Sequence, residues 1–174
     1  MQTEKNSLQK TEHFEALIKA RLKMQGDETH HLEMICESAG VKWINHSIAT
    51  NIDMTWFVLR DVPGPVTLII GGIDRADDHH KLNQLIKDKV NTIICLGSTP
   101  WKYFSAWKNC AKLIVRASDV EEAIEFAGML SPGANAVLFS PSCPSYEAFD
   151  NYKNRGDAFR KLVLEKIASK NLSK

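Results

Sequence analysis

The chain has 174 residues, 22 Lys and Arg against 21 Asp and Glu, and a formal net charge of +1. That length suits one compact domain with room for a small appendage. The charge balance offers no basic field that could hold a phosphate backbone by counterion release, so nucleic acid is not an expected partner.

Residues 1–28 are polar, with Phe14, Leu17, Ile18 and Leu22 at helical spacing, and read as an N-terminal arm or helix. The remainder, 29–174, reads as the domain proper. Leu32 to Glu37 and Val41 to Asn45 are β-like runs around Ser38-Ala39-Gly40, where glycine can take the positive φ of a tight turn, so a hairpin is expected. Short apolar runs follow: Val66 to Ile70, ending in Gly71-Gly72; Thr92 to Leu96, ending in Gly97; Leu113 to Val115; and Ala136 to Phe139. Helical patterns lie between them at His80 to Val90, Pro100 to Lys108 and Val120 to Leu130. A last helix is expected from Asp157 to Ser169, with Phe159, Leu162, Val163 and Ile167 as its buried stripe and Arg160, Lys161, Glu165 and Lys166 as its polar face. Asp61 to Pro65 reads as a rigid connector. Apolar strands alternating with helices predict an α/β fold: a Rossmann-like, mostly parallel sheet covered by helices on both faces, plus the N-terminal hairpin and the polar arm.

Cys36, Cys95, Cys110 and Cys143 are widely spaced, without zinc-ligand or C-x-x-C spacing, so free thiols are expected and a metal site is not. The sequence has no charged-then-apolar leader and no apolar run long enough to cross a bilayer, which predicts a cytoplasmic location and no membrane partner.

In open parallel sheets ligands bind beyond the carboxyl ends of the strands. Three loops there are rich in small residues: Gly71-Gly72-Ile73-Asp74-Arg75, Gly97-Ser98-Thr99-Pro100, and Ser140-Pro141-Ser142-Cys143-Pro144-Ser145. Their backbone N–H groups suit an anion, and Arg75 could clamp a carboxylate through two parallel hydrogen bonds. The plainer reading is that these are ordinary βα turns whose Gly and Pro serve geometry alone, and composition does not decide between the two.

Three segments, in order, resemble the C-terminal domain of the Mur ligases, most closely those members that add D-glutamate. Val41 to Asn51, ending His46-Ser47-Ile48-Ala49-Thr50-Asn51, resembles a strand and loop ending in DSKATN. Gly71 to Arg75 resembles a GG-x-x-K loop. Phe139 to Ser145, continuing through Phe149, Asn151-Tyr152 and Arg155-Gly156-Asp157, resembles LSPACAS followed by F-x-N-F-x-x-RG-x-x-F. The likeness spans His31 to Ile167. It implies that Thr50, Arg75, Ser145, Tyr146 and Tyr152 line a site for a small acidic amino acid such as D-glutamate, with Arg75 in place of a carboxylate-pairing lysine. It also implies that His46 and Ile48 stand where the family has an Asp near the nucleotide ribose and a Lys facing ATP, so the nucleotide side is degenerate.

The family's chemistry requires three domains, and no G-x-x-x-x-G-K-[ST] occurs here. The expectation is therefore a stand-alone amino-acid-binding domain of peptidoglycan precursor synthesis, not active alone and without a cofactor of its own. ATP and Mg are implied only for a complete ligase. The alternatives are a split or truncated D-glutamate ligase that works when other Mur ligase domains are supplied in trans, and a degenerate structural module that self-associates. No catalytic residue is assigned.

Among residues outside these motifs, Asp77-Asp78 before His79-His80 reads as a helix cap, and His30-His31 after Asp27-Glu28 is likewise not read as metal ligands. Cys143 has no histidine placed by sequence to activate it as a nucleophile. Trp101, Tyr103, Phe104 and Trp107 crowd one short helix; all four cannot face inward, so two are expected in the core, and a fully exposed patch for a partner is the competing reading.

Overall fold

The computed structural model describes residues 29–72, 77–97, 99–145 and 148–172. The expected arm at residues 1–28 lies outside the described residues, as do Arg75, Ser98 and Tyr146.

The hairpin forms where expected. Strands β1 (Glu33–Ser38) and β2 (Val41–Asn45) pair antiparallel, with Ser38 opposite Val41. Ala39 and Gly40, between them, both have positive φ, 51° and 77°, which is what a two-residue turn matching the strand twist requires.

Helix α1 (Ile52–Asp61) follows β2, at a place where the sequence reading assigned no helix. It is capped by Asn51, whose side chain accepts the Met54 N–H at 3.0 Å. Its buried side chains are Ile52, Thr55, Val58 and Leu59, so a polar threonine interrupts the apolar stripe that would have announced it.

Strand β3 (Val66–Gly71) leads to a 3-10 turn (His79–Leu82) capped by Asp78, then to α2 (Asn83–Lys89) and β4 (Val90–Leu96). The expected helix to Val90 is one residue too long, because Val90 already pairs with Val66 in the sheet. Next come α3 (Pro100–Trp107), β5 (Leu113–Ala117), α4 (Val120–Leu130), β6 (Ala136–Phe139) and α5 (Tyr152–Leu172). Helix α5 starts five residues earlier than the apolar stripe suggested. Its first turns carry Asn154 and Gly156, weak helix formers, and a buried charged residue, Arg155, that interrupts the apolar stripe.

The six strands form one sheet in the order β1-β2-β6-β3-β4-β5, parallel except for the hairpin. Side chains alternate between its faces, as a pleat demands. Ile44, Leu68, Ile70, Ile93, Cys95 and Leu138 face α1, α2 and α3. Trp43, Ile69, Ile94, Val137 and Phe139 face α4 and α5. On α3, Tyr103 and Trp107 are buried and stack on each other at 5.3 Å, whereas Trp101 and Phe104 are exposed, so two of the four aromatics face inward. Helix α5 buries Phe159 and Val163 and half-buries Leu162 and Ile167, the expected stripe.

Phe159 fastens α5 to the sheet by stacking on Phe139 of β6, ring centroids 4.3 Å apart and both fully buried. Phe159→Ala should lower unfolding stability by about 3–5 kcal/mol, read as a shift of the urea midpoint at unchanged slope.

Candidate functional site

The parallel strands end at one edge of the sheet, and their connections part there. The helix after β2 and the elements after β3 pack on one face, while the helix after β6 packs on the other. Because β6 lies between β2 and β3, the chain diverges around it on both sides. Such a switch point opens a crevice beyond the strand ends.

Three loops meet over that edge, and the backbone shows how. His46 N–H donates to the Phe139 carbonyl at 2.8 Å, continuing the β2–β6 pairing into the loop. Gly71 N–H donates to the Pro141 carbonyl at 2.9 Å, and the Cys143 thiol donates to the Gly71 carbonyl at 3.1 Å. Gly71 and Gly72 have φ of 119° and 140°, and a Cβ on Gly72 would come within 2.4 Å of the Cys143 sulfur. Glycine is needed at these two places for backbone conformation and for close approach together.

Arg155, near the start of α5, draws two of the loops to one group. It is buried, and its Nη1 donates to the Cys143 carbonyl at 2.9 Å while Nη2 donates to the Ser47 carbonyl at 2.6 Å and reaches the Ala49 carbonyl at 3.5 Å. Burial pushes its pKa down, with the Cys143 side chain opposing that shift. Next to it Gly156 leaves a notch: a Cβ there would lie 2.3 Å from both the His30 ring and the Ser47 hydroxyl.

The candidate residues are placed as follows. Thr50 is half-buried in the loop after β2, its hydroxyl 3.8 Å from the Met54 sulfur. Ser145 is buried in the loop after β6, two residues from the carbonyl that Arg155 holds. Tyr152 is half-buried and opens α5, one turn before Arg155. The loop carrying Arg75 leaves the described residues after Gly72 and returns at Asp77, whose carboxylate accepts the Ile52 N–H at 3.3 Å at the start of α1. Both ends of that loop are thus tied to the other two loops. His46 is buried and Ile48 half-buried.

Several buried polar atoms of this corner have no hydrogen-bond partner among the described residues: both His46 ring nitrogens, the hydroxyls of Ser47, Ser142 and Ser145, and Nε of Arg155. Each such group costs on the order of 1–3 kcal/mol if left dry. Burial, aided by His31, whose ring meets it edge-on at 5.0 Å, lowers the His46 pKa to about 3.

Arg155, Gly156 and Asn45 were not singled out from the sequence as site residues, yet a signal existed. Arg155 stands at the same face as Phe159 and Val163, four residues apart each time, so a charged residue continues an apolar stripe. Such a position needs partners inside the protein. His79, near the other histidines in sequence, packs instead against Tyr103 and Trp107, with Asp78 capping the 3-10 turn.

A mostly parallel sheet with three interlocked loops over a switch point defines a Rossmann-like α/β domain. No family model matches the chain. Among curated proteins it is 38% identical over 146 residues to the UDP-N-acetylmuramoylalanine--D-glutamate ligase of Cytophaga hutchinsonii, covering 84% of this chain and 32% of that protein. It is 38% identical over 135 residues to the Porphyromonas gingivalis ligase of the same name, covering 78% and 30%, and 37% over 139 residues to that of Christiangramia forsetii, covering 80% and 31%. The chain spans about a third of the length of the curated relatives it matches. Among solved structures, MurF ligase from Thermotoga maritima in complex with ADP shares the fold, with a TM-score of 0.52 at 15% identity over 79% of this chain and 32% of that one. The chain belongs with the Mur ligases, as a domain of their C-terminal type.

Two outcomes follow from this geometry. Arg155→Leu leaves the carbonyls of Ser47 and Cys143 without their buried donor, and should cost about 3 kcal/mol in denaturant unfolding. His46 binds its proton in the unfolded chain near pH 6.5 but in the folded one only near 3, so it adds stability at neutral pH that is lost as pH falls through that window. The slope of thermal midpoint against pH, between 6.5 and about 4, should be shallower in His46→Asn than in the parent, whatever the absolute midpoints.

Proposed function

We propose that this chain is the amino-acid-binding part of a Mur-ligase-type peptide ligation in peptidoglycan precursor synthesis, and that its ligand is a small acidic amino acid of the D-glutamate kind. One observation carries the reading: unpartnered buried hydroxyls of Ser142 and Ser145 gather where the loops after β2, β3 and β6 interlock. Polar groups kept dry and unpaired at a strand-end crevice are what a polar ligand, or ordered water in its place, satisfies. The names of the curated relatives supply the ligand class.

In this reading Arg75 pairs with a ligand carboxylate through its planar, two-pronged guanidinium. Thr50 and Ser145 offer hydroxyls, and Tyr146 and Tyr152 offer aromatic walls with a polar tip. Arg155 does not touch the ligand; it holds the loops.

ATP and Mg belong to a complete ligase. The donor set does not fit a nucleotide: His46 is buried and kept neutral by its low pKa, and Ile48 carries no charge, so neither supplies the carboxylate or cation of the family pattern.

A second reading is favoured by the one-third coverage of the relatives: the chain is a part of a split or truncated ligase that works with other Mur ligase domains in trans. Adding it to a ligase stripped of its C-terminal domain and measuring phosphate release separates the two; restored turnover selects this reading. A purely structural, self-associating module would instead sediment as an oligomer and bind no amino acid.

Titration calorimetry with D-glutamate tests the main proposal. Binding in the millimolar range or tighter is expected, weakened about tenfold or more by Arg75→Ala and partly restored by Arg75→Lys. A folded chain that gives no heat at millimolar D-glutamate overturns it.

A further inference from the structure

We infer that His30 is a positioning residue for the candidate site, acting through Asn45 and the Gly156 notch on the loops that carry Thr50 and Ser145. The inference deepens the ligand reading above, and it stands on contacts outside the residues assigned there.

His30 precedes the first strand, and its ring is almost fully buried. Nδ1 lies 2.7 Å from Oε2 of Glu33 and Nε2 lies 3.1 Å from Oδ1 of Asp157, so both ring nitrogens face carboxylates from different elements. The Arg160 guanidinium holds the other Glu33 oxygen at 3.0 Å. The ring occupies the space that a side chain at position 156 would need. A glycine inside a helix costs roughly 0.5–1 kcal/mol relative to alanine, and its presence in α5 leaves room for the His30 ring together with the Ser47 hydroxyl.

The backbone supports the same reading. His30 and Leu32 both have left-handed φ, 60° and 52°, which non-glycine residues adopt at a cost and only where the surroundings impose it.

From His30 the contacts run inward. The fully buried Asn45 amide has Nδ2 at 2.9 Å from His30 Nδ1, and donates from Nδ2 to Glu33 at 3.2 Å and to the Gly156 carbonyl at 3.0 Å. Its Oδ1 accepts the Ser47 N–H at 3.1 Å, which fixes which end of the amide is which. The Ser47 carbonyl in turn receives Arg155 Nη2, whose Nη1 holds Cys143. One buried relay therefore joins His30 to both site loops, and every link is a hydrogen bond or a direct packing contact.

Hydrogen–deuterium exchange of the full chain tests this without any ligand. His30→Ala should raise exchange about tenfold or more at residues 46–50 and 142–145, although residue 30 touches neither stretch of 142–145. His30→Gln, which keeps a polar group in the notch, should fall between His30→Ala and the parent. Ile86→Ala, buried on the other face of the sheet, serves as the control for plain destabilisation. Loops unchanged in His30→Ala, or an even rise across the chain matching Ile86→Ala, overturns the assignment. A parent chain that binds no D-glutamate would sink the ligand reading alone, because the exchange pattern decides the role of His30 independently.

Discussion

A buried guanidinium that donates to backbone carbonyls from two different loops is the constraint on which this domain's strand-end edge depends. Taking a charge out of water costs several kcal/mol in practice, and only well-aimed acceptors offset it. Arg155 finds them at Cys143 and Ser47, with Ala49 at longer range. The consequence is that the loops after β2 and β6 cannot move apart without exposing an unpaired charge in an apolar setting. The loop after β3 joins the same unit through Gly71, which both donates to Pro141 and accepts from Cys143. Loops otherwise free to vary thus share one position, which is what a binding corner of defined shape requires.

Topology decides where that corner lies. With β6 inserted between β2 and β3, the helices on either side of it go to opposite faces of the sheet. The paired glycines, the buried hydroxyls of Ser142 and Ser145 and the His31–His46 pair gather at that place among the described residues. Fold and site are one consequence of the same strand order.

Much of the fold was legible because the strands are continuous apolar runs and the hairpin turn is spelled by Ala39-Gly40. Helix α1 was hidden because Thr55 sits on its buried face, where it bonds the Ser140 hydroxyl at 2.8 Å; the polar residue that anchors the helix also breaks its pattern. The early start of α5 was hidden for a related reason: a charged Arg155 and a Gly156 break the apolar stripe and make sense only with Ser47, Cys143 and His30 in view. The resemblance to Mur ligases pointed to the loops, and those loops do interlock. Its motifs included Asn45, Arg155 and Gly156 but gave them no role, because the relay ties the β1–β2 hairpin and its following loop to α5, more than a hundred residues further along the chain.

The corner is also asymmetric, and position 46 explains why. In the family pattern an Asp stands there, and a carboxylate at a site this buried needs a cation or donors to remain charged. The described surroundings of His46 are the edge of the His31 ring and deep burial. A ring held neutral by a pKa near 3 tolerates such a place, since it brings no net charge to solvate. Ile48 nearby follows the same logic by carrying no charge at all. The lost charge does not make that side of the corner self-sufficient, since both His46 ring nitrogens and the Ser47 hydroxyl are buried without a partner among the described residues. The other side keeps hydroxyls that are buried and unpaired, at Ser142 and Ser145. Neutral side chains at positions 46 and 48 thus remove charge from one side of the corner without removing its need for hydrogen-bond partners.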